Sequence, residues 1–249
     1  MEYRDPFVAA AQAQATQAAS YDMGLRAYML KIYNLMASAL ALTGIVAMLA
    51  ANSPAVQALL FAAGPDGRVG PSGLGFLVMF APLGLVLWLS FGLHRMSTGT
   101  AQAIFWTYAV VMGLSLSSIF LVYTGESIAR AFFVTAGTFG AMSLYGYTTK
   151  RDLTGFGSFL MMGLIGLILA SLVNLFLQSS ALNFTLSVVG VLIFVGLTAY
   201  DTQKLKNLYY QLAGSTDAIA KASIMGALNL YMDFINIFLH LLRFMGDRR

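Results

Sequence analysis

The last long apolar stretch, Ile219 to Phe244, constrains this chain more than any other. It is long enough to cross a bilayer, for which about 20 residues suffice. Yet it carries Asn229, Asp233, Asn236, His240 and Arg243 at spacings of four, three, four and three. On a helix those side chains form one polar stripe. A carboxylate facing hydrocarbon costs about 2.5 to 3.5 kcal/mol even on lenient insertion scales, so lipid is excluded as the neighbour of that face. Gly226 continues the face with a residue that allows close approach. The stretch therefore reads as a central helix enclosed by others.

Composition says what the others are. Hydrophobic residues make up 59% of the 249 residues and charged ones 10%, with a mean hydropathy of +0.76. A soluble domain of this size does not reach such values. The chain reads as an all-α polytopic membrane protein whose partner is the lipid bilayer. The net charge of +4 does not indicate nucleic acid, because the basic residues fall between apolar runs, where they set topology. With no cysteine and only two histidines, thiolate chemistry and a histidine metal cage are excluded, and no cofactor is expected.

Residues 1 to 25 read as a polar, Ala- and Gln-rich cytoplasmic tail, and 26 to 249 as one transmembrane domain. Seven spans are expected: Ala27–Ala51, Leu74–Leu93, Ala101–Val122, Ile128–Tyr147, Phe156–Leu177, Leu182–Thr202 and Ile219–Phe244. Asn52 to Gly73 reads as a loop, and Lys204, Lys206 and Lys221 as parts of a basic loop before the last span. Pro82 is a candidate kink. Gly137, Gly140 and Ala141 in the fourth span, with Gly163, Gly166 and Ala170 in the fifth, read as packing faces.

Nine basic residues (Arg4, Arg26, Lys31, Arg95, Lys150, Arg151, Lys204, Lys206, Lys221) fall on the N-terminal side, against Arg68 and Arg130 opposite. The positive-inside rule then makes the N-terminus cytoplasmic. Arg243, Arg248 and Arg249 run against it, but the last stretch is long enough for a full crossing.

Two acids lie within the expected membrane, Asp201 and Asp233, and intramembrane carboxylates are functional-site candidates. Asp201 is expected at a helix C-terminus, where the macrodipole disfavours its charge by about 0.3 to 1 kcal/mol. Counting inward from the expected span ends leaves the two acids mismatched in depth by roughly 8 to 13 Å.

Two blocks carry a family resemblance. Gly196 to Lys206 (Gly-Leu-Thr-Ala-Tyr-Asp-Thr-Gln-Lys-Leu-Lys) and Ala227 to Phe244 (opening Ala-Leu-Asn-Leu-Tyr-Met-Asp-Phe-Ile-Asn) resemble the signature of the Bax inhibitor membrane proteins. Leu25 to Asn34 resembles the proteobacterial branch, and the likeness extends from about Tyr21 to the end. It implies two three-helix layers around a central C-terminal helix, in a bacterial inner membrane. It also implies a pH-sensitive calcium leak in which Asp201 and Asp233 share a proton and make transient contact with the ion. Asn229, Asn236, His240 and Arg243 would then line the pore, and Arg95, matched by position alone, would latch the closed state. The family's characterised leak channels can carry an acid in the second helix, and this second helix has none.

Three other functions compete. Proteobacterial relatives are linked to a membrane-bound ATP-dependent protease, which makes the chain a candidate regulator of such a protease, gripped by its N-terminal tail. An intramembrane aspartyl protease would use two such acids, but Leu230-Tyr231-Met232 stands where those enzymes have Gly-x-Gly. A retinal protein needs a lysine in the last span, and none follows Lys221. An enzyme is therefore not expected.

Overall fold

The computed structural model describes residues 6–63, 69–212 and 214–249, with side chains over 23–62, 70–212 and 214–249. Arg4 and Arg68 of the charge count, and the side chains of the tail as far as Asp22, lie outside the described residues.

Among the described residues eight α-helices follow one another: α1 (Pro6–Asn52), α2 (Pro54–Leu60), α3 (Gly73–Gly92), α4 (Thr98–Val122), α5 (Gly125–Thr148), α6 (Thr154–Leu177), α7 (Ser180–Gln211) and α8 (Thr216–Met245). All but α2 are long and apolar enough to span a membrane, α1 over Met23–Asn52. The all-α, seven-span expectation holds, and the bounds shift for local reasons. Helices α3, α4, α5, α7 and α8 start on Ser72, Ser97, Thr124, Ser179 and Ser215, whose hydroxyls accept the free amide three residues on. Pro82 leaves α3 a single helix.

Three expectations need correction. The stretch from Asn52 to Gly73 is not simply a loop: Ser53 and Pro54 start α2, and Phe61–Ala63 (β1) pairs antiparallel with Val69–Pro71 (β2). The sixth span does not stop at Thr202. Helix α7 continues to Gln211, so Lys204 and Lys206 are helical and Lys221 belongs to α8. Asp201 is thus in a helix interior, and the macrodipole argument at that position falls away. Finally, Gly137, Gly140, Ala141 and Gly166 are exposed on the bundle surface. The close approaches are made by other glycines. Gly146 faces the Ala199 backbone, Gly157 lies under the Tyr200 ring, and Gly113 sits 2.8 Å from the Thr43 carbonyl oxygen, each measured to where a Cβ would stand.

Helices α1, α3 and α4 form one layer and α5, α6 and α7 the other, with α8 packed against α1, α4, α5 and α7. Two-thirds of the apolar window of α8 is buried (67%), against 11% for α3 and α6 at the lipid-facing flanks. Protein encloses the middle of the polar stripe, where Asp233 is buried; Asn229, Asn236 and His240 are half-buried and Arg243 at the far end is exposed.

The last helix runs the full length of the bundle, as a full crossing requires. At its start, Thr98 Oγ1 at the head of α4 donates to Asp217 (2.7 Å). At its end, the Arg249 amide donates to the Val122 carbonyl (2.9 Å) and Tyr123 pairs with Arg248. Helices α4 and α8 are therefore parallel from end to end. We call the face where the span of α1 begins the N-side, and the face where the C-terminus emerges the C-side.

Candidate functional site

Helices α7 and α8 build the site. Where a Cβ would stand, Gly190 of α7 meets the His240 ring and Gly226 of α8 meets Leu205, 2.7 Å away. Those two contacts set the antiparallel register and place Asp201 level with Asn229 and Leu230. Asp233 is one turn further along, about 4.5 to 6 Å on the axis. The larger depth mismatch expected from the sequence disappears because the C-side ends of the two helices are staggered, not level.

Asp233 is 5% exposed, and its Oδ2 has no hydrogen-bond partner. Asp201 is half-buried and forms no ion pair within 4.0 Å among the described residues. Lys204 lies one turn along α7 from Asp201, and both line the N-side cavity. By the register of those glycine contacts, the two predicted acids lie about one turn apart along the α7–α8 interface. With no group of three or more His, Asp or Glu side chains among the described residues, the pair is not a fixed metal cage.

The polar stripe divides between two cavities. On the N-side, about 500 Å³ is lined by His94, Asp201, Lys204, Asp217, Lys221 and Asn229. Lys221 Nζ lies 2.9 Å from Asp217 Oδ2. On the C-side, about 590 Å³ is lined by Asn174, Asn183, Asn236, His240, Arg243 and Arg248. Asn236 donates to the Met232 carbonyl (2.8 Å), and His240 stacks on Phe194 with ring centroids 5.8 Å apart. The cavities share no lining residue. Between them stand about two turns of α8, from Asn229 to Asn236, and Asp233 is inside that partition.

Arg95 is not brought to Asp201. It occupies the exposed 3-10 turn Leu93–Arg95, and its neighbour His94 lines the cavity instead.

Hydrogen bonds on either side of the acids tie α7 and α8 to the rest of the bundle. Ser143 of α5 bridges the Tyr33 hydroxyl of α1 (2.6 Å) and Thr202, the residue after Asp201 (3.0 Å). Tyr231 OH donates to Thr43 Oγ1 (2.7 Å), which in turn donates to the Ala109 carbonyl (2.8 Å). Gln203 clamps the turn between α5 and α6, accepting from the Leu153 amide (2.8 Å) and donating to the Arg151 carbonyl (2.7 Å). Lys206 donates to the Tyr147 carbonyl (2.8 Å) in the last turn of α5, where a cation also meets the negative end of the helix dipole. Thr202, Gln203 and Lys206 lie in the Gly196 to Lys206 block and Tyr33 and Tyr231 in the other two resembling blocks, while nothing in the sequence marked Thr43 or Ser143.

Fold and site together define a class: a polytopic α-helical membrane protein with a buried carboxylate on a central helix between two polar cavities. The family described as "Inhibitor of apoptosis-promoting Bax1" matches residues 25–249. The chain belongs to that family, the Bax inhibitor family. It is 54% identical over 230 residues to an uncharacterized protein of Rickettsia prowazekii (strain Madrid E), covering 92% of this chain and 93% of that one. It is also 54% identical over 227 residues to the inner membrane protein YbhL of Escherichia coli (strain K12), covering 91% and 94%. An uncharacterized membrane protein of Streptococcus pyogenes serotype M3 is 40% identical over 163 residues, covering 65% and 70%.

Proposed function

We propose that this protein is a pH-sensitive cation leak of a bacterial inner membrane, gated by Asp201 and Asp233. The observation that carries the reading is the Asp233 carboxyl, buried in the partition with one oxygen unpartnered. An unpaired charge at such a point costs several kcal/mol, so two carboxyls one turn apart share a proton while the partition is closed. A cation arriving from the N-side cavity competes with that proton for the same oxygens. Losing the proton then weakens the packing of α7 on α8 and lets the cavities join. Calcium is chosen on the family resemblance, and carboxylate oxygens are its ordinary ligands.

The inner membrane is proposed from YbhL, and a cytoplasmic N-side from the basic residues on that face. Arg95 keeps the role of latch only for a conformation in which α3 has moved toward Asp201. The test is calcium flux into liposomes holding the purified protein, measured between about pH 5 and 8. A pH-dependent flux is expected. No flux at any pH, together with altered protease-dependent degradation when residues 1–20 are removed, would favour the protease-regulator reading.

A further inference from the structure

The C-side cavity contains two cations and no acid. Arg243 stands in the last turn of α8, and Arg248 follows the helix with its guanidinium 5.9 Å from the Tyr123 ring centroid. Neither has a carboxylate within 4.0 Å among the described residues. The nearest acid in sequence, Asp247, is engaged elsewhere, accepting from Ser127 Oγ (3.2 Å) and facing Arg130 at 4.0 Å, and it does not line the cavity. Asn174 adds a donor. Its Oδ1 accepts from the Ser179 amide (3.1 Å), which leaves its NH2 group free of a described partner.

The rest of the wall is apolar, with Leu172 and Leu175 of α6 and Leu186 of α7 below the polar end. The polar end lies among the C-side termini of α4, α6 and α8, at the level where a bilayer places its headgroups. A compact anion would satisfy the arginines and leave the leucine wall bare. An amphiphile satisfies both.

We propose that the C-side cavity is a binding site for an anionic phospholipid. The headgroup phosphate is held by Arg243 and Arg248, which suit bidentate phosphate contacts, and an acyl chain covers the leucine wall. This inference does not depend on the leak. A protein with no transport activity would bind lipid equally well.

The test is selective retention. Wild type is reconstituted in vesicles of equal phosphatidylglycerol and phosphatidylcholine, extracted in mild detergent, and the lipid carried per protein is measured by mass spectrometry. Phosphatidylglycerol should be enriched over phosphatidylcholine. The double change Arg243→Gln/Arg248→Gln should reduce that enrichment about tenfold, as expected for losing charged hydrogen bonds, and Arg243→Lys/Arg248→Lys, which keeps the charge but loses the bidentate fork, should fall between the two. An unchanged helical circular dichroism spectrum and a single gel-filtration peak establish folding. If the double glutamine variant fails that check, the two single glutamine changes are read in its place, each with a partial loss. Equal retention by wild type and the glutamine variants overturns the site. Full displacement of phosphatidylglycerol by excess inorganic phosphate overturns the lipid as its occupant and makes free phosphate the ligand.

Discussion

The two ends of α7 are held differently. At the N-side, α5 and α6 close tightly on α7. Gly146 faces Ala199, Gly157 lies under Tyr200, and Gln203 and Lys206 tie the α5–α6 turn to α7. At the C-side, Gly190 faces only the His240 ring, and beyond it the interface opens into the larger cavity. The charges differ as well. Asp201 and Asp217 line the N-side cavity together with lysines, while Arg243 and Arg248 stand without acids at the other end. Acids and lysines balance at the N-side end, and positive charge stands unbalanced at the C-side end. The carboxyl that separates the two environments is Asp233.

That contrast can be sharpened first by fixing which face is which. The chain has no cysteine, so Ser179→Cys supplies a single thiol at the head of α7 on the C-side. If the N-side is cytoplasmic, a membrane-impermeant maleimide labels it fully from outside and not at all from within. Labelling from the cytoplasm would reverse the assignment of both cavities.

The difference in rigidity predicts the next largest effect. Gly146→Ala forces α5 away from the Ala199 backbone and should cost about 1 to 3 kcal/mol, with a lower melting temperature in detergent. Gly190→Ala need only turn a ring and should cost less. Gly137→Ala, which meets open space, should be neutral or slightly stabilising. Equal losses at Gly146 and Gly190 would break the contrast. Removing the N-side clamp acts on a similar scale: Gln203→Ala leaves one amide and one carbonyl of the α5–α6 turn without their partner, for about 1 to 3 kcal/mol, read in the same melt.

The smallest effect concerns that turn itself. Asp152 lies before the span of α6, and its carboxylate accepts from the Thr154 hydroxyl (2.6 Å) and amide (2.9 Å). Those bonds hold its pKa below the usual 3.8. Because the folded value is depressed, the stabilisation is fully present above the unfolded value and is lost as the pH falls through the folded one. Asp152→Asn should therefore lower the melting temperature slightly at neutral pH and leave it unchanged in strong acid. A loss that persists in acid would mean the bonds matter without the charge.

How much of this was legible in the sequence depends on what each residue faces. Seven spans were readable because a lipid-facing helix needs only apolar side chains, and the stripe from Asn229 to Arg243 was readable because helical spacing gathers it on one face. The end of α7 was not, since Lys204 and Lys206 on a helix leaving the membrane have the same composition as a basic loop. Small residues misled for a related reason. Gly137 and Gly140 tolerate lipid as well as they would tolerate a neighbouring helix, and only the fold shows that Gly146 does the packing. Gln203 gave no sign because its partners are backbone groups about fifty residues away. The proximity of Asp201 to Asp233 was implied by family resemblance, and the register of two glycine contacts supports it in the structure.

The central claim is that Asp201 and Asp233 act as one unit. The direct measurement is the pH dependence of calcium flux in liposomes for wild type, Asp201→Asn, Asp233→Asn and the double variant. Each single change should flatten the pH response, and the double change should do little more, as residues sharing one proton require. Additive losses would mean two independent sites. A full pH response surviving in the double variant would contradict the account and leave the pair a purely structural feature of the bundle.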